Sequence, residues 1–117
     1  GGSWLLNQLL GPARTKELFY TARRVQSDEA LALGIFNQVV ADEDFLTETM
    51  NLAKHIAAGP PIALGYMKEN INAATGCDLH TSLNMEADRL IRCAFTQDHK
   101  EAVTAFMAKR APIFSGR

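Results

Sequence analysis

Residues 11–40 constrain the fold of this chain more than any other stretch. They read GPARTKELFYTARRVQSDEALALGIFNQVV, in which helix breakers and helix caps follow one another closely. Pro12 suits the first position of a helix, where its missing N–H costs no hydrogen bond, and this helix is predicted to end near Tyr20. The preceding residues, Trp4–Leu10, are apolar on most sides and predict a short buried helix. The chain therefore starts with two helices separated by a break.

A second capped helix and a short strand are predicted next. Ser27 is a favourable N-cap, and the two acidic residues after it complement the helix dipole. Gly34 suits the positive φ that often ends a helix. The run Ile35–Val40 is rich in β-branched and aromatic residues and predicts a strand. Because one strand cannot form a sheet, it must pair with another segment or lie on another element.

Beyond Asp42 the pattern is purely helical. Four helices are predicted there, and each of the first three carries one apolar stripe with the helical period. Such helices bury only part of their apolar surface among themselves, so we expect a remaining apolar face to need a partner. The stripes comprise Leu46, Met50, Ala53 and Ala57, then Ala63, Met67, Ile71 and Ala74, then Leu79, Leu83, Ala87, Leu90 and Ala94.

Composition excludes several classes of protein. The chain has 12 basic and 13 acidic residues and a net charge of −1, with no basic stripe, so a nucleic-acid partner is not expected. No apolar run approaches the ~20 residues that span a bilayer, so no membrane partner is expected either. Cys77 and Cys93 belong to no CxxC pair and are interpreted as reduced thiols, which favours the cytoplasm. The chain starts without Met, and we interpret it as a piece of a longer protein.

Side chains capable of catalysis or metal binding do not form a recognisable constellation. The histidines share no helix at metal-binding spacing and are interpreted as surface residues. Asp98 and Glu101 have the spacing of a capping box for a final helix over about 99–109. Glu86 and Asp88 lie beside two arginines and predict a solvated ion-pair face. We therefore assign no catalytic residue and no metal ligand to this chain.

The basic pair Lys109–Arg110 admits two interpretations. Cations at the end of a helix stabilise it by complementing the dipole. Alternatively, a lysine at a subunit boundary binds a phosphate, for which an ammonium group is a suitable point charge. The residues alone do not separate these alternatives.

Several runs along the chain follow one family pattern, from a pair of glycines to a closing D-x-x-E-x-V-x-A-F-x-x-K-R. In these runs the chain resembles the C-terminal portion of the crotonase superfamily, the enoyl-CoA hydratases and isomerases. Ala22 departs from the pattern, because the family usually has a glycine after the threonine there. The matching positions are Gly1–Leu6, Leu9–Gly11, Glu17, Leu18, Thr21, Ser27–Leu31, Gly34–Val40, Ala57–Pro61, Lys68, Asn72–Ala74 and Asp98–Arg110, with Pro112 and Phe114 after them.

The resemblance implies a mainly α chain with one short strand, belonging to a spiral of ββα turns. Residues 1–40 would end the spiral core, and residues 41–117 would form the C-terminal helical region that builds trimers or hexamers. The implied substrate is an acyl-CoA thioester, no further cofactor is implied, and the catalytic acids would precede Gly1. Lys109 matches a lysine that approaches the CoA phosphates of a neighbouring subunit. The alternative is a non-catalytic helical module for oligomerisation.

Overall fold

The computed structural model describes all 117 residues and is mainly α-helical, as the sequence predicts. It divides into two compact units, Gly1–Glu48 and Thr49–Arg117. The division predicted after residue 40 stays a prediction. A short 3₁₀ helix, Asp42–Asp44, leads into the third α-helix. The helices are α1 (Gly2–Thr21), α2 (Ser27–Ala32), α3 (Phe45–Ala57), α4 (Pro61–Ala74), α5 (Leu79–Ala94) and α6 (Gln97–Met107).

Helix α1 is two helices joined at a kink. Gly11 has φ 73° and ψ 169°, a conformation outside the helical region that glycine adopts without steric cost. Pro12 then opens the second half, and the Thr15 hydroxyl donates a 2.8 Å hydrogen bond to the carbonyl of Gly11. The predicted break between two helices is confirmed.

The end of α1 has a left-handed residue that is not glycine. Ala22 has φ 49° and ψ 26°, and its N–H donates a 3.1 Å bond to the carbonyl of Leu18. This single bond is the αL type of helix end, which glycine usually completes. A methyl group therefore occupies a conformation that favours glycine, as the departure from the family pattern suggested.

The strand predicted at Ile35–Val40 is absent, and that prediction is wrong. The structure contains no strand, and a strand ladder needs a second extended segment as its partner. Instead, the N–H groups of Ile35 and Phe36 both donate to the carbonyl of Ala30, at 2.8 and 3.3 Å. Gly34, with φ 77°, closes α2 as predicted.

In the second unit, α4 packs on α5 and α5 packs on α6. The Asp78 side chain caps α5 by accepting a 2.8 Å bond from the N–H of Thr81. Arg89 of α5 contacts three residues of α4. Its guanidinium donates to Asn70 and, at 2.8 Å, to Glu69, and it lies 5.8 Å from the centre of the Tyr66 ring.

The predicted apolar stripes are mostly uncovered. Helices α3, α4 and α5 contain no buried residue. On α5, Leu79 is 75% exposed, Leu83 54% and Leu90 73%. Contiguous apolar surface of this kind marks an interaction face in soluble proteins. No helix is long and apolar enough to cross a bilayer.

Candidate functional site

The end of α6 places Lys109 in an uncommon conformation. The N–H of Lys109 donates to the carbonyl of Phe106 at 3.1 Å, and the N–H of Arg110 donates to that of Ala105 at 3.0 Å. This pair of bonds is the Schellman motif, which usually has glycine in the left-handed position. Here Lys109 occupies that position with φ 52°.

The left-handed conformation costs an L-residue about 1–2 kcal/mol relative to the ordinary helical one. Lys109 bears this cost although its side chain is exposed and gains nothing from burial. It also forms no ion pair with any acidic residue. Its ammonium group is therefore available to an external anion.

The neighbouring cation is neutralised within the chain. The two Nη atoms of Arg110 donate to the two carboxylate oxygens of Glu101 at 2.6 and 2.8 Å. The Ile113 N–H donates to the same carboxylate at 2.9 Å. Arg110 first, and the backbone of Ile113 second, lower the pKa of Glu101 to about 2. Of the basic pair at this helix end, only Lys109 keeps an uncompensated charge.

The capping box predicted from Asp98 and Glu101 is wrong. The side chain of Thr96 caps α6, because its hydroxyl oxygen accepts a 3.1 Å bond from the N–H of His99. Thr96 lies two residues before Asp98, and threonine is also a favoured N-cap residue. The helix therefore starts earlier than expected, which leaves Asp98 and Glu101 for other contacts.

Asp98 instead anchors the C-terminal tail. It is only 3% exposed, and its carboxylate accepts bonds from the N–H groups of Ser115 at 2.7 Å and Gly116 at 2.9 Å. Its own N–H donates to the carbonyl of Arg117 at 3.0 Å. The tail after α6 is consequently held against that helix rather than projecting from it. Sequence reasoning missed this role, because the acceptor and the donors are 17 to 18 residues apart.

A cleft of about 100 Å³ lies beside Asp98 in the second unit. Pockets for small-molecule ligands are typically about 300–1,000 Å³, so this cleft is too small for an acyl-CoA. It therefore does not serve as the candidate site. Its lining residues are Pro60, Ile62, Ala63, Cys93, Thr96, Asp98, His99, Ala102 and Phe114.

The remaining candidates for chemistry are in structural or surface positions. All three histidines are exposed, as predicted. In the predicted ion-pair face, Asp88 binds Arg92 at 2.7 Å, whereas Arg89 binds Glu69 instead. Glu86 takes part in no ion pair. No group of three or more histidine, cysteine, aspartate or glutamate residues is arranged to hold a metal ion.

Comparison with known proteins gives consistent matches. The family model described as enoyl-CoA hydratase/isomerase matches residues 1–117. A short-chain-enoyl-CoA hydratase of Clostridium acetobutylicum is 36% identical over 110 residues, which cover 94% of this chain. A 1,2-epoxyphenylacetyl-CoA isomerase of Escherichia coli is 37% identical over 117 residues, which cover 100% of it. Among solved structures, an enoyl-CoA hydratase from Bacillus anthracis has 37% identity and a TM-score of 0.95 over the whole chain.

The chain spans less than half the length of these proteins. The matched part is 42% of the Clostridium relative, 45% of the Escherichia coli relative and 45% of the Bacillus structure. The aligned part nevertheless covers 94% to 100% of this chain. The family model matches this chain from residue 1 to residue 117, and the helical fold is shared with a solved enoyl-CoA hydratase. This chain therefore belongs to the enoyl-CoA hydratase/isomerase family of the crotonase superfamily.

Proposed function

We propose that the protein carrying this chain hydrates or isomerises an enoyl-CoA thioester, and that these 117 residues correspond to the C-terminal portion of the family's fold. An enolate of the thioester is stabilised by two backbone N–H groups, while acidic side chains move protons. The coenzyme is part of the substrate, and no other cofactor is needed. Family membership and the names of the relatives support this activity.

Within that reaction, the catalytic acids are not among the carboxylates of this chain. The well-placed carboxylates are already engaged: Asp98 holds the tail, Glu101 binds Arg110, and Asp78 caps a helix. Arg110 lowers the pKa of Glu101, and the backbone N–H of Thr81 lowers the pKa of Asp78, so these two carboxylates stay charged and are poor proton donors near pH 7. The chain alone should therefore not hydrate crotonyl-CoA, and measurable turnover by the purified chain would overturn this part of the proposal.

The role of this chain in substrate binding is carried by Lys109, which binds a phosphate of CoA. The supporting observation is the comparison of two Schellman motifs in one chain. Helix α2 ends with the same bonds, Gly34 N–H to Leu31 at 3.0 Å and Ile35 N–H to Ala30 at 2.8 Å, and it uses glycine. Helix α6 has lysine at the equivalent position. Backbone geometry alone favours glycine there, and the lysine adds an exposed ammonium group that no acidic residue of the chain neutralises.

Substitutions at Lys109 test this role because they separate binding from folding. Lys109→Gly relieves the left-handed strain, so the chain should be as stable as before or more stable. Its affinity for CoA should nevertheless fall about tenfold, the equivalent of one charge-assisted hydrogen bond of about 1.4 kcal/mol. Calorimetric titration with CoA of the protein that carries this chain measures this change.

A matched control removes a different lysine of the same helix. Lys100 is exposed on α6, and Lys100→Met changes the net charge exactly as much as Lys109→Met does. CoA affinity should fall for Lys109→Met and stay unchanged for Lys100→Met. Equal effects of the two substitutions would mean that only net charge matters, and the assignment of Lys109 would then be rejected.

A second candidate function is assembly without catalysis, as a helical module. The uncovered apolar stripe of α5 favours an assembly role. Assembly into a homotrimer or hexamer in the cytoplasm is compatible with both functions, because a catalytic protein of this family also needs that face covered. The two candidate functions differ in their predicted activity. If the chain is only an assembly module, the protein carrying it should self-associate but neither bind nor convert crotonyl-CoA.

A further inference from the structure

We infer that Glu101 is a positioning residue for Lys109: by holding Arg110 and Ile113, it fixes the backbone from which the lysine side chain reaches a CoA phosphate. This inference rests on the proposed role of Lys109 and adds a second residue to the same site. Glu101 itself, being an anion, does not contact the phosphate.

The backbone around Lys109 is tied down on both sides. On the helical side, the two Schellman bonds connect residues 109 and 110 to Phe106 and Ala105. On the tail side, Glu101 accepts two bonds from the Arg110 guanidinium and one from the N–H of Ile113. A residue in the left-handed region persists only where its surroundings hold it there. Glu101 provides that hold on the C-terminal side of Lys109.

A fixed starting point matters for a lysine more than for most side chains. Its long, flexible four-carbon stem loses rotamer entropy when the ammonium group is held at one place. If the Cα position also varied, the group would have to be located within a larger volume, and binding would cost more entropy still. Anchoring residues 110 and 113 removes that additional cost before the ligand arrives.

An effect of charge and an effect of positioning predict opposite changes in CoA affinity when Glu101 is neutralised. Glu101→Gln removes a negative charge close to the proposed phosphate and frees the guanidinium of Arg110. By charge alone, an anion should then bind more tightly. If Glu101 positions Lys109, the same substitution should instead weaken CoA binding, because the bidentate pair that holds the backbone is lost.

The test is a calorimetric titration with CoA of the protein that carries this chain. Glu101→Gln should raise the Kd about threefold to tenfold, the range expected when one rotamer-rich side chain must be ordered on binding. Asp88→Asn is the matched control, because it changes the net charge equally and breaks the exposed Arg92–Asp88 pair of α5. Its Kd should stay within about twofold of that of the unaltered chain. Circular dichroism verifies that both variants keep their helices.

The double substitution shows whether Glu101 acts through Lys109. In a chain that already carries Lys109→Met, Glu101→Gln should not weaken CoA binding any further. An unchanged or tighter Kd for the single Glu101→Gln variant would overturn the positioning role. An equal loss of CoA affinity on Glu101→Gln in the unaltered chain and in the Lys109→Met chain would overturn it as well.

The two proposals fail in different ways. If Lys109→Met binds CoA as the unaltered chain does, the role of Lys109 is wrong, and the positioning role of Glu101 is rejected with it. If Lys109→Met weakens binding while Glu101→Gln does not, only the positioning role is rejected. A third titration with dephospho-CoA identifies the phosphate: the effects of both substitutions should disappear if Lys109 contacts the 3′-phosphate and persist if it contacts the pyrophosphate.

Discussion

Replacing Ala22 with glycine should stabilise this protein. Ala22 is exposed and has φ 49°, so its methyl group contributes no packing but keeps the backbone in a conformation that disfavours it. Relief of the left-handed strain is worth about 1–2 kcal/mol. Glycine also gives the unfolded chain more freedom, which costs about 0.4–1 kcal/mol. The expected net gain in the free energy of unfolding is about 0.5–1 kcal/mol, or a rise of about 2–6 °C in Tm.

The control for this prediction is the same chemical change elsewhere in α1. Ala13 is exposed and helical, so Ala13→Gly should destabilise the chain by about 0.5–1 kcal/mol. Urea unfolding followed by far-UV circular dichroism measures both midpoints under identical conditions. Opposite shifts of the two midpoints are expected. If Ala22→Gly is neutral or lowers the midpoint as Ala13→Gly does, the reasoning from the left-handed backbone is refuted.

Three further predictions concern the tail and the apolar face. Asp98→Ala leaves two backbone N–H groups without their acceptor, so it should cost about 2–4 kcal/mol of stability and expose the tail to carboxypeptidase; an undigested tail would contradict the anchoring role. The folded-state pKa of Glu101 is lowered to about 2 from 4.5, so its stabilisation is present above about pH 4.5 and is lost as the pH falls towards 2. Glu101→Gln should flatten this part of a stability profile, and an unchanged slope would refute the assignment. Leu90→Glu on α5 should shift light scattering towards a monomer, whereas a monodisperse monomer before substitution would reject self-association through this helix.

Local signals in the sequence predicted most of the helices correctly. The proline of the Gly11–Pro12 pair and the glycine at position 34 both act within one helical turn, and the structure has each of them where expected. The strand prediction for Ile35–Val40 failed, because a strand needs a partner that no local pattern reveals. β-branched residues therefore indicate only that an extended conformation is possible there.

The candidate site was predictable only in part. Lys109 was identified from its place in the family pattern, but its left-handed backbone was not, since a lysine gives no sign of positive φ. The pair formed by Glu101 and Arg110 spans nine residues and exists because the chain reverses direction at Lys109. Asp98 was misassigned for a similar reason, because a nearby threonine competes for the cap. These contacts depend on where the helix begins and ends, and helix boundaries are the least certain part of a sequence-based prediction.

Two left-handed residues that are not glycine, Ala22 and Lys109, allow strain to be separated from function. Strain alone does not imply a role in binding, because Ala22 has the same backbone conformation and only a methyl group to offer. If backbone geometry were the whole explanation, glycine at either position would stabilise the chain and leave CoA binding unchanged. If the ammonium group of Lys109 binds phosphate, both substitutions relieve strain, yet only Lys109→Gly weakens CoA binding. The pair therefore distinguishes a conformation tolerated at a helix end from one that carries a side chain used for binding.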